Sequence, residues 1–157
     1  MTGWTIRQGG LWKRCQCLTD MAVDLKTETE ATRAIRLGQQ KFRNDLLDRW
    51  GGRCALTGLA IPGLPRASHI KPWCDSEPTE RHDPDNGLLL AVHIDGLFDR
   101  GFISFDDSGR ILLSPKLSSE SLKCFGITPD LQIAKLHSGQ HKYLALHRAR
   151  FNFIAAA

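Results

Sequence analysis

Three stretches of the chain decide its fold: Arg66-Ala-Ser-His-Ile-Lys-Pro-Trp73, Asp83-Pro-Asp-Asn-Gly-Leu-Leu-Leu90 and Leu97-Phe-Asp-Arg-Gly101. The first stretch follows a short apolar segment and a turn at Gly58, so residues 53–70 together predict a β-hairpin. A polar loop comes next, and the later part of the run after Asn86 predicts a helix that stops near Gly101. Hairpin, loop and helix form one sequential unit, and its polar centre requires a functional explanation.

An amphipathic helix is predicted before this unit. From Thr27 onward, apolar residues recur at intervals of three and four among charged positions, and the run ends at Gly51-Gly52. Glycine there supplies the left-handed backbone that closes a helix, whereas Gly38 inside the run weakens the helix by about 1 kcal/mol relative to alanine. The apolar positions are Ala31, Ala34, Ile35, Phe42, Leu46, Leu47 and Trp50.

A second hairpin is predicted after the unit. Phe102-Ile-Ser-Phe and Arg110-Ile-Leu-Leu flank the turn Asp106-Asp-Ser-Gly. After Pro115 the pattern favours mostly helix, with a final helix through Tyr143, Leu146 and Phe153. The sequence therefore predicts an α+β fold in which residues 27–157 form one domain. We interpret residues 1–26, which show no useful periodicity, as a leader or remnant with little order.

The composition is that of a globular protein. With 41% hydrophobic and 24% charged residues, a chain of 157 residues can bury one modest core. The net charge of +4 permits an anionic partner without identifying one. The five cysteines contain no CxxC pair, so we expect reduced thiols and no structural zinc. No apolar stretch approaches the ~20 residues that cross a membrane, so we expect a cytoplasmic protein with no membrane partner.

The three stretches, with Arg53-Cys-Ala-Leu-Thr-Gly58 before them, resemble the HNH or ββα-metal endonucleases, in particular a restriction-type subgroup. The resemblance extends upstream to Gly38-Gln-Gln-Lys-Phe-Arg-Asn-Asp-Leu-Leu47 and downstream to Leu144-Ala-Leu-His-Arg148. It implies a ββα-metal core at roughly residues 53–101, with a helix before it and a hairpin and helices after it. It also implies a metal-dependent endonuclease of restriction or defence type that hydrolyses phosphodiester bonds in DNA.

The resemblance assigns two catalytic positions. Its first histidine falls on His69, whose neutral imidazole, with an ordinary pKa near 6.5, suits a general base for the attacking water. Without the resemblance, a lone histidine beside an apolar strand is more often structural. The family asparagine falls on Asn86, whose amide would bridge backbone groups across the polar loop and orient the His69 strand. The dipeptide Asn86-Gly87 is equally explained as turn chemistry, and both explanations can hold together.

The resemblance also implies a divalent metal ion, with Mg²⁺ the first choice and Mn²⁺ or Ni²⁺ as alternatives. Counting nine residues from Asn86 reaches Asp95 where the commonest family pattern has histidine, and Asp99 lies four residues later on the same helical face. Ordinary solvent-facing carboxylates are the alternative for this pair, and for Asp99 the two interpretations weigh equally. Ser68 is a weaker candidate ligand, and His93 would join the site only if the helix begins after it.

DNA is the expected partner, and a homodimer is an open alternative. Candidate DNA-binding residues are Arg66, Lys71 and Arg100, although charged residues on a helix or strand are usually a solvated face. Two alternative functions stay open at this point. Ser68 and the absent third histidine favour an HNH-fold DNA-binding module that has lost catalysis. The chain could equally be the C-terminal nuclease part of a larger restriction protein.

Overall fold

The computed structural model describes residues 30–153, and its side chains from residue 32 onward, so the predicted leader at 1–26 lies outside the described part. Helices and strands are mixed along the chain, and both sheets are antiparallel pairs. The α+β class predicted from the sequence is confirmed. The elements are α1 (Glu30–Arg49), β1 (Arg66–His69), β2 (Gly87–Leu90), α2 (Val92–Asp99), β3 (Ile103–Phe105), β4 (Ile111–Leu113), α3 (Ser119–Cys124) and α4 (Gln140–Arg150).

The first hairpin predicted from the sequence is wrong in its partner strand. Strand β1 pairs with β2, in the register His69 with Gly87 and Ser68 with Leu88, and not with residues 53–57. Residues 53–65 form turns and irregular backbone, and they reach the sheet through the bond from the Ala55 amide to the Leu89 carbonyl at 2.7 Å. The polar loop therefore connects the two strands, and it contains three single-turn 3₁₀ helices at 73–75, 80–82 and 84–86.

Strand β2 is the centre of the molecule. Leu88, Leu89 and Leu90 are each 0% exposed, because helices cover both faces of this short sheet. Leu89 packs on Phe42 and Leu46 of α1. A strand buried on both faces has a continuous apolar run instead of an alternating one. The other two leucines belong to the main core, which includes Ile94 and Phe98 of α2, Ile103 and Phe105 of β3, and Tyr143 and Leu144 of α4.

The close approach of α1 to the sheet requires glycine at the start of β2. A Cβ atom on Gly87 would lie 2.6 Å from the ring of Phe42 and 2.7 Å from Leu46. Contacts this short are overlaps, so any side chain here would push α1 off the sheet. This packing holds α1 against the strand pair that carries His69.

The C-terminal half matches its prediction in part. Strands β3 and β4 pair antiparallel as predicted, with Ile103 opposite Leu113. Helix α4 is present but ends at Arg150, so Phe153 lies beyond it. The prediction of mostly helix after Pro115 is wrong for residues 126–139, which are turns and irregular backbone. Within the described residues, no helix is long and apolar enough to cross a membrane.

Candidate active site

His69 is the last residue of β1, and one of its two ring nitrogens is held by the backbone. Its Nε2 lies 2.9 Å from the carbonyl oxygen of Arg81. A carbonyl oxygen can only accept, so Nε2 carries the hydrogen and Nδ1 of the neutral ring keeps its lone pair. Among the described residues Nδ1 has no hydrogen-bond partner, and it is not sealed from solvent. The ring therefore presents a fixed proton acceptor.

Aromatic side chains hold the His69 ring on two sides. The ring stacks on Phe42 with centroids 4.1 Å apart and an interplanar angle of 12°. The edge of Trp73 meets it at 5.6 Å and 87°. Burial among these rings lowers the pKa of His69, and the nearby His82 lowers it further, whereas the bond to the Arg81 carbonyl raises it. The net effect favours the neutral imidazole at neutral pH.

Asn86 ties the polar loop together. It is 0% exposed, and its Oδ1 accepts from the Lys71 amide at 2.8 Å. Its Nδ2 lies 3.2 Å from the Lys71 carbonyl, 3.2 Å from the Ser76 hydroxyl and 3.1 Å from the Glu80 carbonyl. These are the contacts expected of an orienting residue. Because the Glu80 carbonyl directly precedes Arg81, Asn86 supports the loop that supplies the partner of His69.

Asp95 and Asp99 lie four positions apart on α2, and their carboxylates interact. The pKa of Asp99 is raised to about 6, first by the loss of surrounding water and then by the charge of Asp95. The Asp99 residue as a whole is exposed. Neighbouring atoms nevertheless crowd its carboxylate and remove water from the charged group. Arg100, Ser68 and Arg66 oppose the rise. Two carboxylates this close repel each other, so the pair favours the binding of a positive charge.

Ser68 faces the same side of β1 as Leu88, towards α2, and is 3% exposed. Its hydroxyl is close enough to Asp99 to favour the charged carboxylate, yet it satisfies no hydrogen-bond geometry with any described residue. An unpartnered buried hydroxyl beside two carboxylates fits a hard divalent ion that takes oxygen ligands. In residues 30–153, no three histidine, cysteine or acidic side chains converge. The two carboxylates and the hydroxyl thus fit an ion such as Mg²⁺, which takes few ligands from the protein and fills its other positions with water and phosphate oxygens.

His69 and Ser68 point to opposite sides of β1, as successive strand residues must. His69 packs against α1, whereas Ser68 faces α2 with the two carboxylates. Strand β1 pairs with β2 alone, so its other edge has no strand partner among the described elements. A group bound at that open edge could be approached by the imidazole from one side and by the carboxylates from the other.

Two predicted site residues occupy other positions. Helix α2 begins at Val92, so His93 is helical and points away from Asp95, and it lines a separate groove. The condition under which His93 would be a metal ligand, a helix that begins after it, is therefore not met. The Lys71 ammonium lies 2.5 Å from Glu80 with its side chain 22% exposed, so its charge is already matched within the loop. Arg66 and Arg100 are exposed and both lower the pKa of Asp99, and their contact with DNA stays a prediction.

Sequence reasoning missed Arg81 and His82. Arg81 acts through its backbone carbonyl, and a backbone group leaves no signature in the residue type. Its side chain is held by the carbonyls of Trp73 and Ser76, at 3.2 and 3.0 Å, which fixes the turn. The His82 ring meets the edge of Trp73 at 5.5 Å and packs against Gly38 of α1. The glycine inside a helical pattern was the one available signal of such a close approach.

Comparison with known proteins agrees with this geometry. Residues 54–106 match the model of a family described as HNH endonuclease. The match covers about a third of the chain. It contains the open edge of β1, Asn86 and both carboxylates of α2. No curated protein matches the chain.

One solved structure similar to this chain is described as a modification dependent TagI restriction endonuclease. The two share 16% sequence identity with a TM-score of 0.49, over 70% of this chain and 37% of that one. The chain thus spans little more than a third of that protein.

Proposed function

We propose that this chain is a metal-dependent DNA endonuclease of restriction or defence type, with His69 as the general base. The observation that carries the proposal is the state of the His69 ring: Nε2 is held by the Arg81 carbonyl at 2.9 Å, and Nδ1 is left open. A buried structural histidine would have both nitrogens satisfied. A general base needs an acceptor nitrogen that a water molecule can reach.

In this reaction, water enters beside the open edge of β1 and donates a hydrogen bond to Nδ1 of His69. The imidazole takes the proton as the water oxygen attacks the scissile phosphorus, and the bond from phosphorus to the leaving oxygen breaks. The resulting imidazolium holds that proton on Nδ1, while the Arg81 carbonyl continues to accept from Nε2. Phe42 and Trp73 prevent the ring from turning, so the acceptor stays aimed at one point.

Asp95 and Asp99, with the Ser68 hydroxyl, would hold the divalent ion. Bound there, such an ion neutralises charge that develops on the phosphate and the leaving oxygen. Its positive charge would also favour the ionised form of Asp99, whose pKa is raised to about 6 by burial and by the charge of Asp95. Mg²⁺ is our first choice and Mn²⁺ or Ni²⁺ are alternatives, because the ligands are oxygens with room for water.

The second candidate function is a DNA-binding module of the same fold without catalysis. It is favoured by Ser68, a weak ligand, and by the lack of three converging strong ligands in residues 30–153. Such a module would keep Asn86 and the packing of the loop, since both maintain the fold. It would bind DNA without cutting it under any metal. A nuclease part within a larger restriction protein stays a further proposal, in which other parts of that protein read the DNA.

The test is cleavage of supercoiled and linear plasmid, methylated and unmethylated, with Mg²⁺, Mn²⁺, Ni²⁺ or EDTA. We expect metal-dependent nicking by the wild type. We expect the His69→Ala rate to fall by roughly 10²–10⁴-fold, the range for a lost general base. Asp95→Ala should require more metal for half-maximal nicking, and the exposed variant Gln39→Ala serves as the control. DNA binding without nicking under any metal would instead favour the non-catalytic module.

A further inference from the structure

A groove of about 560 Å³ runs along the side of α2 that carries His93 and Arg100. Its walls include Lys116 and Phe125 from the segment after β4, and Leu97 lies at its floor. Arg100 directly follows Asp99, and neighbouring helical residues are about 100° apart around the axis. The groove and the two carboxylates thus lie on adjacent sides of one short helix.

The charged side chains that line this groove are all basic. No acidic side chain lines it, and within residues 30–153 neither Arg100 nor Lys116 forms an ion pair. Several other cations of the described chain are paired with carboxylates: Lys41 with Asp45, Arg49 with Asp85, Lys71 with Glu80, Arg148 with Asp107 and Arg150 with Asp75. Positive charges that share a concave surface without acidic side chains attract an anionic partner.

The groove also exposes apolar surface beside these charges. Val92 is 45% exposed and Phe125 is 40% exposed, and both line it. Water is a poor solvent for an exposed aromatic ring, whereas a deoxyribose or an unstacked base packs well on it. Cationic and aromatic side chains together suit a nucleic-acid strand, because its backbone is anionic and its bases have flat faces on which an aromatic ring can stack.

We propose that this groove binds the sugar–phosphate backbone of the DNA strand that flanks the cleaved phosphate. The inference rests on the proposed nuclease function and names a substrate-binding surface for it. Arg100 and Lys116 contact phosphates, and Phe125 packs on a sugar or base. The width of a helix, about 10 Å, corresponds to roughly three nucleotides of one strand. The groove therefore holds the strand within a few nucleotides of the site of cleavage.

The test is binding of a fluorescently labelled DNA duplex by the full chain in EDTA, measured by anisotropy over a series of salt concentrations. Lys116→Glu should weaken binding by about tenfold or more and lower the slope of log Kd against log salt by about one. Phe125→Ala should weaken binding by about threefold to tenfold with an unchanged slope. Lys135→Glu, an equal charge change at an exposed lysine outside the groove, should stay within about twofold of wild type.

Equal losses in Lys116→Glu and Lys135→Glu would overturn the inference, since net charge alone would then explain them. Unchanged DNA binding in both groove variants would also overturn the inference, because the groove would then not bind DNA. Plasmid cleavage by the same proteins separates the two proposals. If the wild type cuts DNA while the groove variants bind normally, the groove proposal alone fails; if the wild type neither binds nor cuts, both fail. Thermal melting of each variant excludes misfolding as the cause.

Discussion

Two histidines in different regions of this molecule are held in nearly the same way. His69, beside the open edge of β1, stacks on Phe42 and directs Nε2 to the carbonyl of Arg81 at 2.9 Å. His147, inside the core on α4, stacks on Phe98 at 3.9 Å and 1° and directs Nε2 to the carbonyl of that same phenylalanine at 3.1 Å. In each case an aromatic face fixes the ring plane and a carbonyl fixes the tautomer.

The difference lies at the other ring nitrogen. Nδ1 of His147 accepts from the Ser104 hydroxyl at 3.0 Å, and the residue is 4% exposed. Nδ1 of His69 has no such partner among the described residues. The same framework therefore makes a structural residue when the acceptor is satisfied and a candidate base when it is open. What separates the two roles is the environment of one atom.

The largest expected effect comes from replacing each histidine by alanine. His147→Ala removes a buried ring and leaves Ser104 and the Phe98 carbonyl unpaired, so we expect a loss of about 2–4 kcal/mol in the free energy of unfolding. His69→Ala should destabilise the protein less than His147→Ala does, but it should abolish nearly all nicking. Urea denaturation and plasmid nicking per folded molecule measure the two effects. A His147→Ala protein that is fully stable yet inactive would contradict the comparison.

The pH dependence of the free energy of unfolding tests the structural role of His147. Burial, against a smaller opposing effect from the Phe98 carbonyl, lowers the pKa of His147 from 6.5 to about 4. Between these values the unfolded chain binds the proton and the folded chain does not, so acid favours unfolding. The contribution of His147 is fully present above pH 6.5 and is lost as the pH falls towards 4. The whole loss is on the order of 3 kcal/mol.

The measurement is urea denaturation between pH 7 and pH 5 on wild type, His147→Gln and the exposed control His93→Gln. The control should follow the wild-type pH dependence, whereas His147→Gln should flatten most of it. If His147→Gln and wild type lose stability in parallel, another group is responsible for the acid sensitivity. His69 and His137 act in the same direction, since burial also lowers their pKa values, whereas the raised pKa of Asp99 acts in the opposite direction.

Local patterns predicted the elements whose partners are near in sequence. The second hairpin was correct because the turn at Asp106–Gly109 joins its strands directly. The first hairpin was assigned the wrong partner because β1 and β2 are separated by the polar loop, and the run Leu88–Leu90 has no alternation to identify a strand face. Pairing at that separation depends on packing against α1 and α2, which no short window of sequence contains.

Prediction of the candidate site was limited in the same way, by contacts between residues that are distant in sequence. The family resemblance pointed to His69, Asn86 and the α2 carboxylates, because side chains carry the chemistry there, and their roles stay predictions. His93 depended on where the helix begins, and because α2 begins at Val92 the condition for its joining the site is not met. The Arg81 carbonyl could not be predicted, because every residue has one. What the sequence could signal indirectly was a close approach, through Gly38.

Gly38 provides the smallest but most specific prediction. At an exposed helical position, alanine in place of glycine normally stabilises a helix by about 1 kcal/mol. Here a Cβ atom would overlap the ring of His82, which is itself packed edge-on against Trp73. We therefore expect Gly38→Ala to destabilise the protein by about 1 kcal/mol, the low end for an overpacked site. Thermal or urea denaturation measures the change against Gln39→Ala, an exposed neighbour on α1.

The Gly38→Ala substitution also tests the comparison between His69 and His147. Trp73 contacts both His82 and His69, so displacing His82 disturbs one of the two rings that hold the proposed base. Among the described residues, the ring and hydrogen-bond partners of His147 are Phe98, Ser104 and Phe151, and none of these contacts Gly38, His82 or Trp73. Gly38→Ala should thus reduce nicking per folded molecule by a few-fold while the pH dependence of stability from His147 is unchanged. A stabilised, fully active Gly38→Ala protein would show that His82 can move without cost, and that Trp73 does not transmit its position to His69.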